Sequence, residues 1–147
     1  MNKGKGKNQG FEEKSGIYVD PRHEEHSLDL PFWRDNKKLW ALKIPEETMN
    51  IDELKWMMEV PFWEDEKRNI VLTPNEVLKD LDHFPKHRDR ILGCDTLFPL
   101  HIMKNKKGEW VTLDGLHRLA KLILEGERVV KVKKVSEEQV WLTKRNG

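Results

Sequence analysis

A short run of chemically capable residues, Asp114-Gly115-Leu116-His117-Arg118, lies where the hydrophobic pattern of the chain changes from strand to helix. The first backbone N–H groups of a helix have no partner within it and carry a partial positive charge. A glycine beside them lets an anion approach the backbone, and a histidine and an arginine in the first turn supply further donors. The run therefore predicts a phosphate-binding site made of these five residues.

The same residues also have a purely structural interpretation. Asp114 stands where a helix N-cap stands, and a capping side chain satisfies a backbone N–H that has no other partner. His117 is then a partly buried surface residue and Arg118 a solvated one. The spacing alone does not decide between the two interpretations, because short motifs of this kind are weakly specific.

The flanking pattern predicts the elements that hold this run. Trp110–Leu113 favour a strand, with Val111 and Leu113 on one face. Apolar residues then recur at helical spacing, and Gly126 stands at the expected helix end: Leu116, Leu119, Ala120, Ile123 and Leu124. A further strand is expected over residues 129–135, with Val130 and Val132 on one face. The pattern thus predicts strand, tight turn, helix and strand.

Residues 114–121 resemble the signature of the ParB/sulfiredoxin-like superfamily. The flanking segments 95–102 and 126–133 are also similar to it, and a weaker similarity covers residues 38–136. Its members bind nucleotides with the phosphates at this turn and helix start. They include partition proteins that hydrolyse CTP, sulfiredoxins that use ATP, kinases of free serine and ParB-like nucleases. The resemblance implies an α+β fold, a single domain with a small mixed sheet and packed helices.

The departures from that signature narrow the function that the resemblance implies. Sulfiredoxins carry a reactive cysteine just before the His-Arg pair, where this chain has Leu116, and the single cysteine, Cys94, lies outside the motif. Partition proteins have Gly-Glu-Arg-Arg at residues 115–118, and too little chain follows Lys133 for their DNA-binding and dimerisation parts. The motif form is closest to that of free-serine kinases. It implies a nucleotide-dependent phosphotransferase or nucleotidase.

Phosphoryl transfer depends mainly on charge stabilisation and positioning. Mg²⁺ prefers carboxylate and water ligands, and Asp95 and Asp114 are the first candidates. Either carboxylate is also a candidate general base toward a substrate hydroxyl. Because Asp114 has a competing role as a cap, we take Asp95 and His117 as the catalytic residues and Asp95 as the Mg²⁺ ligand. His101 is expected to be a hydrogen-bonded structural histidine. The expected ligands are a nucleotide (ATP, ADP or CTP), Mg²⁺ and a small-molecule acceptor.

A basic cluster lies on a helix predicted from Pro85 to Leu92 and comprises Lys86, His87, Arg88 and Arg90. It either steers a nucleotide or an acidic substrate or forms a solvated helix face. The formal net charge is +1, from 27 basic and 26 acidic residues, and gives no electrostatic argument for wrapping nucleic acid. DNA or RNA binding, nuclease activity and a non-catalytic nucleotide-sensing module remain alternative functions.

Length and composition bound the organisation of the chain. Its 147 residues suit one domain, and we expect a flexible arm at 1–30, the domain at 31–136 and a tail at 137–147. Val140 to Leu142 are the part of the tail that has apolar side chains to dock. One cysteine excludes an internal disulfide and fits a reducing, cytoplasmic setting. No apolar run has the length of a membrane span.

Further elements follow from local signals. Residues 39–44 suggest a first strand and residues 51–60 a helix capped by Asn50, and Thr73-Pro74-Asn75-Glu76 is a helix-starting capping box. Residues 100–103 and 109–113 suggest two strands joined by a turn at Asn105-Lys106-Lys107-Gly108. His23 and His26 suggest either a metal site or an exposed polar stretch. The strings Pro31-Phe32-Trp33 and Pro61-Phe62-Trp63 either anchor loops on the core or offer a surface for partners or for base stacking.

Overall fold

Six strands and six α-helices occur in residues 17–146, the part of the chain that the computed structural model describes. The strands are β1 (Glu47–Asn50), β2 (Trp63–Glu64), β3 (Ile70–Leu72), β4 (Leu100–Lys104), β5 (Trp110–Asp114) and β6 (Val129–Lys134). The helices are α1 (Pro21–His26), α2 (Asn36–Ala41), α3 (Pro74–Lys79), α4 (Pro85–Gly93), α5 (Leu116–Leu124) and α6 (Glu137–Trp141). This content confirms the small mixed α+β domain at the level of fold class.

The main sheet has the order β1-β6-β4-β5. Strand β4 pairs antiparallel with β5 and parallel with β6, and β1 pairs antiparallel with β6. Strands β2 and β3 form a separate antiparallel pair. Because α5 connects β5 to β6 and packs near the centre of the sheet, the predicted motif lies at the start of a helix anchored in the core.

Two groups of buried apolar side chains hold the sheet between helices. The larger group joins the sheet to α3, α4 and α5 and includes Val77, Ile91 and Leu119, each fully buried. The smaller group includes Leu39 of α2 and Val140 of α6, which are also fully buried. Removal of this apolar surface from water is the main favourable term for the fold.

Several local predictions are confirmed. The Thr73–Glu76 capping box forms and starts α3. The hairpin of β4 and β5 turns at residues 105–108, and Gly108 has a φ of +80°. Helix α5 is followed by Gly126, whose φ of +78° suits a helix stop. In β6, Val130 and Val132 are both buried as expected.

Two other local predictions are wrong. Residues 39–44 do not form a strand. Asp35 accepts a hydrogen bond from the Lys37 amide and starts α2, which includes residues 39–41, and residues 42–44 lie outside any helix or strand. Residues 51–60 form two 3₁₀ turns, Ile51–Glu53 and Lys55–Glu59, instead of an α-helix. Asn50 caps the first turn as predicted, and it also ends the unpredicted strand β1.

Parts of the predicted arm and of the predicted tail contact the domain. Residues 1–16 of the predicted arm lie outside the described residues, whereas residues 17–30 include α1 and pack on the domain. His26 in α1 bonds to Glu109, with 2.8 Å between Nδ1 and Oε1, because the segment crosses the β4–β5 turn. Helix α6 brings Val140 into the core, while Trp141 and Leu142 stay largely exposed. Among residues 17–146, no helix has the length and apolar character needed to cross a membrane.

Candidate functional site

The turn between β5 and α5 has a different cap from the one predicted. Gly115, with a φ of 112°, is the N-cap of α5, and no side chain caps the helix. Asp114 is the last residue of β5, and its Oδ2 accepts a hydrogen bond from Trp40 Nε1 at 2.9 Å. A bulge precedes the turn, since His101 pairs with Asp114 while the next β4 residue pairs with Thr112. Such a bulge re-aims the side chain that follows it.

The absence of a capping side chain leaves the start of α5 open. Within residues 17–146, the N–H groups of Leu116, His117 and Arg118 have no hydrogen-bond partner, and the first helical bond runs from Leu119 N to Gly115 O at 2.8 Å. Unpaired amides at a helix start attract anions through hydrogen bonds and through the helix dipole. A cavity of about 340 Å³ opens at this point and is lined by residues 89–90, 93–94 and 114–118.

The arginine of the motif lines this cavity, and its Nη1 lies near Gly115, but its donors are already engaged by carbonyl groups. Arg118 Nε donates to the Asp95 carbonyl at 3.0 Å, and Nη1 donates to the Pro99 carbonyl at 3.3 Å. The Asp95 carboxylate in turn accepts from the Leu97 amide at 2.9 Å. Asp95 is exposed and is not among the residues that line the cavity. The structure therefore places Arg118 and Asp95 in support of the loop before β4.

A second arginine, Arg90, is better suited to the phosphate-binding role that was predicted for Arg118. Arg90 of α4 lines the cavity and forms no ion pair or hydrogen bond with any residue of the described part of the chain. Its neighbour Arg88 differs, because it pairs with Asp82 and Asp89 at 3.3 and 3.0 Å. The predicted basic cluster is therefore divided: Arg88 is neutralised, His87 turns inward, and Arg90 and Lys86 stay exposed beside the cavities.

Two histidines that are 30 residues apart in sequence form a hydrogen-bonded pair. His87 Nδ1 and His117 Nε2 are 3.0 Å apart, and His87 Nε2 lies 2.7 Å from the Glu64 carbonyl oxygen. A carbonyl only accepts, so the neutral His87 carries its hydrogen on Nε2 and its Nδ1 accepts from His117 Nε2–H. These partners assign the lone pair of neutral His117 to Nδ1.

Trp63 of β2 supports both histidine rings. The Trp63 and His117 rings stack with centroids 4.3 Å apart at an interplanar angle of 7°, and the Trp63 and His87 rings with 4.7 Å and 12°. Because the two imidazoles also bond to each other, they lie on the same face of the indole. Trp63 is buried, with 5% of its surface exposed, whereas Trp33 in the other copy of the Pro-Phe-Trp string is 75% exposed. The two strings thus have different surroundings.

The environment of His117 keeps its imidazole neutral. Burial, with smaller contributions from the positive charge of Arg90 and from the neighbouring His87, lowers the pKa of His117 to about 3. Desolvation disfavours the charged form of a base, and nearby cations act in the same direction. His117 is therefore available as a hydrogen-bond acceptor or a nucleophile over the whole physiological pH range.

The small cavity is joined to a larger groove of about 1280 Å³, since Arg90 and residues 114–117 line both. The groove also includes Trp33, Arg34 and both rings of the histidine pair. Burial lowers the pKa of Arg34, and the Asp114 carboxylate opposes that shift. The groove thus combines an open helix start and cations with an exposed aromatic ring.

The remaining candidate histidines lie elsewhere. His101 is buried, but neither ring nitrogen has a hydrogen-bond partner in the described residues, so the expected hydrogen bond is absent. Burial lowers its pKa, and the Asp114 carboxylate opposes this effect. His23 packs edge-on against Phe62, while His26 bonds to Glu109. In residues 17–146, no three His, Cys, Asp or Glu side chains are grouped to hold a metal ion.

No family model, curated protein or solved structure matches this chain. The function is therefore argued from the site alone. From sequence, Arg90 and His87 are members of a basic cluster and Trp63 is a loop anchor. Their contacts with His117 depend on α4 and β2 packing beside α5, and no local spacing in the sequence reports that packing.

Proposed function

We propose that this protein binds a nucleotide by its phosphates at the start of α5 and transfers or hydrolyses the terminal phosphoryl group. The observation that carries the proposal is the uncapped helix start with an unpaired arginine, Arg90, at the same cavity. As part of this proposal, the domain is of the ParB/sulfiredoxin-like type, in keeping with its motif at a strand–turn–helix junction. The proposed class of protein is a nucleotide-dependent phosphotransferase or nucleotidase.

The phosphates would be held mainly by backbone groups. The free amides of Leu116, His117 and Arg118 supply neutral donors that point out of the helix start. Arg90 supplies the cation, and a guanidinium binds phosphate oxygens in a forked geometry. Arg118 has a supporting role instead, because its donors bind the carbonyls of Asp95 and Pro99.

The nucleoside would lie in the larger groove. Ligand pockets are typically about 300–1,000 Å³, so a groove of about 1280 Å³ has room for a nucleotide and for a small acceptor. Trp33 presents an exposed indole at this groove, and aromatic rings stack on nucleobases without strong sequence preference. The groove therefore accounts for both parts of the proposed ligand.

Magnesium fits the site as a companion of the phosphates. The described residues hold no cage of three ligating side chains, and Mg²⁺ commonly binds one or two carboxylates together with substrate phosphates. Asp114 lines both cavities and would supply a carboxylate, with Asp89 beside the smaller cavity. Asp114 thereby takes the role first given to Asp95. When bound, Mg²⁺ supplies charge neutralisation for the phosphate oxygens.

Calorimetric titration with ATP, ADP and CTP, with and without Mg²⁺, tests this proposal. Arg90→Gln should weaken binding by about 10- to 100-fold, because a charge-assisted hydrogen bond contributes about 1.5–3 kcal/mol. Arg88→Gln is the matched control, since it removes the same charge from the same helix at a position already paired with acids. We expect this control to bind like the wild type.

Two results would contradict the proposal or redirect it. Absence of binding by every nucleotide, or equal loss in the Arg90 and Arg88 variants, would refute phosphate recognition at this cavity. Salt-sensitive binding of a short single-stranded oligonucleotide without mononucleotide binding would favour the nucleic-acid alternative. Nucleotide binding without any product release or transfer would instead indicate a sensing module.

A further inference from the structure

The histidine pair has a chemical role that simple phosphate binding does not require. Resting on the proposed function, we propose that Nδ1 of His117 is a nucleophile that takes the terminal phosphoryl group and forms a phosphohistidine. In this assignment His87 is the positioning residue, and Trp63 is the surface on which both rings are held. The donor would be a nucleoside triphosphate, and the final acceptor a hydroxyl compound or water.

The Nδ1 lone pair of His117 is available for attack. His117 Nε2 donates to His87, so the nucleophilic electron pair lies on the other nitrogen. His117 Nδ1 has no hydrogen-bond partner in residues 17–146 and is not fully buried. His117 also lines both cavities. A neutral imidazole with an accessible lone pair is the form that attacks phosphorus.

His117 shares the small cavity with groups that can stabilise a phosphoryl group during transfer. His117 is the second residue of α5, and it lines the small cavity together with Leu116 and Arg118, whose amides are also unpaired. Arg90 lies on the same cavity without a partner among the described residues. Charge that develops on phosphoryl oxygens is stabilised by such fixed donors and cations.

The imidazole ring of His117 is held in a fixed orientation. His117 is held by the hydrogen bond to His87 and by the stack on Trp63, and His87 is held by the Glu64 carbonyl. Three independent contacts thus orient the pair. A prepositioned reacting group avoids the entropy cost of being ordered during the reaction.

The proposed step is balanced in atoms and charge. His117 Nδ1 attacks the terminal phosphorus, an N–P bond forms, the P–O bond to the leaving phosphate breaks, and a nucleoside diphosphate departs with both bonding electrons. The proton on His117 Nε2 moves toward His87 Nδ1, so the positive charge is shared with His87 and its bond to the Glu64 carbonyl. Attack by the acceptor oxygen then breaks the N–P bond, whose electron pair returns to Nδ1 of His117. The proton shared with His87 returns to Nε2, and the hydroxyl proton of the acceptor is released to solvent.

The test is phosphoryl labelling of the whole chain with γ-³²P-labelled ATP or CTP and Mg²⁺, quenched in alkali. A phosphohistidine keeps its label in alkali and loses it in acid. Wild type should be labelled and His117→Gln should lose the label. His26→Gln should retain it, because His26 bonds to Glu109 and lines neither cavity. Phosphorus NMR should place the label on Nδ1, and label on Nε2 would overturn the assignment.

The role of His87 is tested with two variants that differ in one property. His87→Phe keeps a ring to stack on Trp63 but removes the nitrogen acceptor, and should lower labelling at least tenfold while nucleotide binding is retained. His87→Asn places an oxygen near the position of Nδ1 and should restore part of the labelling. A purely structural role for His87 predicts instead that Phe performs better than Asn.

The outcomes separate this inference from the proposed function. Nucleotide binding and turnover without acid-labile label, including in rapid-quench samples, would overturn the nucleophile and leave the proposed function intact. Phosphoramidate, which donates a phosphoryl group without a nucleoside, provides an arm that does not depend on nucleotide recognition. Failure of labelling by both donors would overturn the nucleophile whatever the titrations show.

Discussion

Gly115→Ala tests whether the turn before α5 depends on glycine for two separate reasons. Gly115 has a backbone φ of 112°, which residues other than glycine rarely adopt. An added Cβ would lie 2.6 Å from Leu100 Cδ2 and 2.9 Å from Arg118 Nη1. Leu100 is fully buried in β4, so it has little room to move away.

The expected cost follows from these two contributions. Backbone strain costs about 1–3 kcal/mol, and overpacking against a buried side chain costs about 1–3 kcal/mol. Together they predict a loss of about 2–6 kcal/mol in the free energy of unfolding. At about 2–4 °C per kcal/mol for a chain of this size, the melting temperature should fall by roughly 4–24 °C.

Urea unfolding followed by circular dichroism measures this loss against two other glycines. Gly126→Ala has a φ of +78° with open space around its Cβ, so it carries strain without the steric contact. Gly93→Ala lies in α4 with open space and an ordinary φ, and should be neutral or slightly stabilising. If Gly115→Ala were no more destabilising than Gly126→Ala, the argument from the Leu100 and Arg118 contacts would be refuted.

Two further predictions concern pH and the loop before β4. Because burial lowers the pKa of His117 from 6.5 to about 3, the folded chain binds fewer protons than the unfolded chain in this range. Stability should therefore be lost as the pH falls below about 6.5 toward 3, and His117→Gln should remove about 2 kcal/mol of this loss between about pH 7 and 5. An unchanged dependence on pH in chemical denaturation would contradict this. Arg118→Met should lower the free energy of unfolding by about 1–3 kcal/mol, because the carbonyls of Asp95 and Pro99 lose their hydrogen-bond donors. Hydrogen exchange of the amides in residues 95–99 should also become faster. Exchange at the wild-type rate would argue against this role of Arg118.

The accuracy of the sequence predictions depended on whether the decisive signal was local. The Thr73 capping box, the turn at Gly108 and the stop at Gly126 are short-range patterns, and each is present in the structure. The buried face of α5 was equally readable, since its apolar residues recur at helical spacing. The four strands and helices around the motif were therefore placed close to their observed bounds.

The errors come from interactions between distant residues. Asp114 has the residue type of an N-cap, but the bulge beside β4 and the bond from Trp40 fix it at the end of β5. Strand β1 has little apolar character and forms because β6 offers a free edge. The pairing of His87 with His117 requires α4 to pack on α5 and cannot be read from either segment alone.

The pairing of β1 with β6 has a consequence for the order of folding. Residues 47–50 meet residues 129–132 across the sheet, so this edge closes a loop of about eighty residues. Long loops are slow to close, because chain entropy is lost before the contacts that compensate for it are made. During synthesis, β1 can pair with β6 only after nearly the whole domain has left the ribosome. The hairpin of β4 and β5 forms from neighbouring residues, and is the natural nucleus onto which α5, β6 and finally β1 assemble.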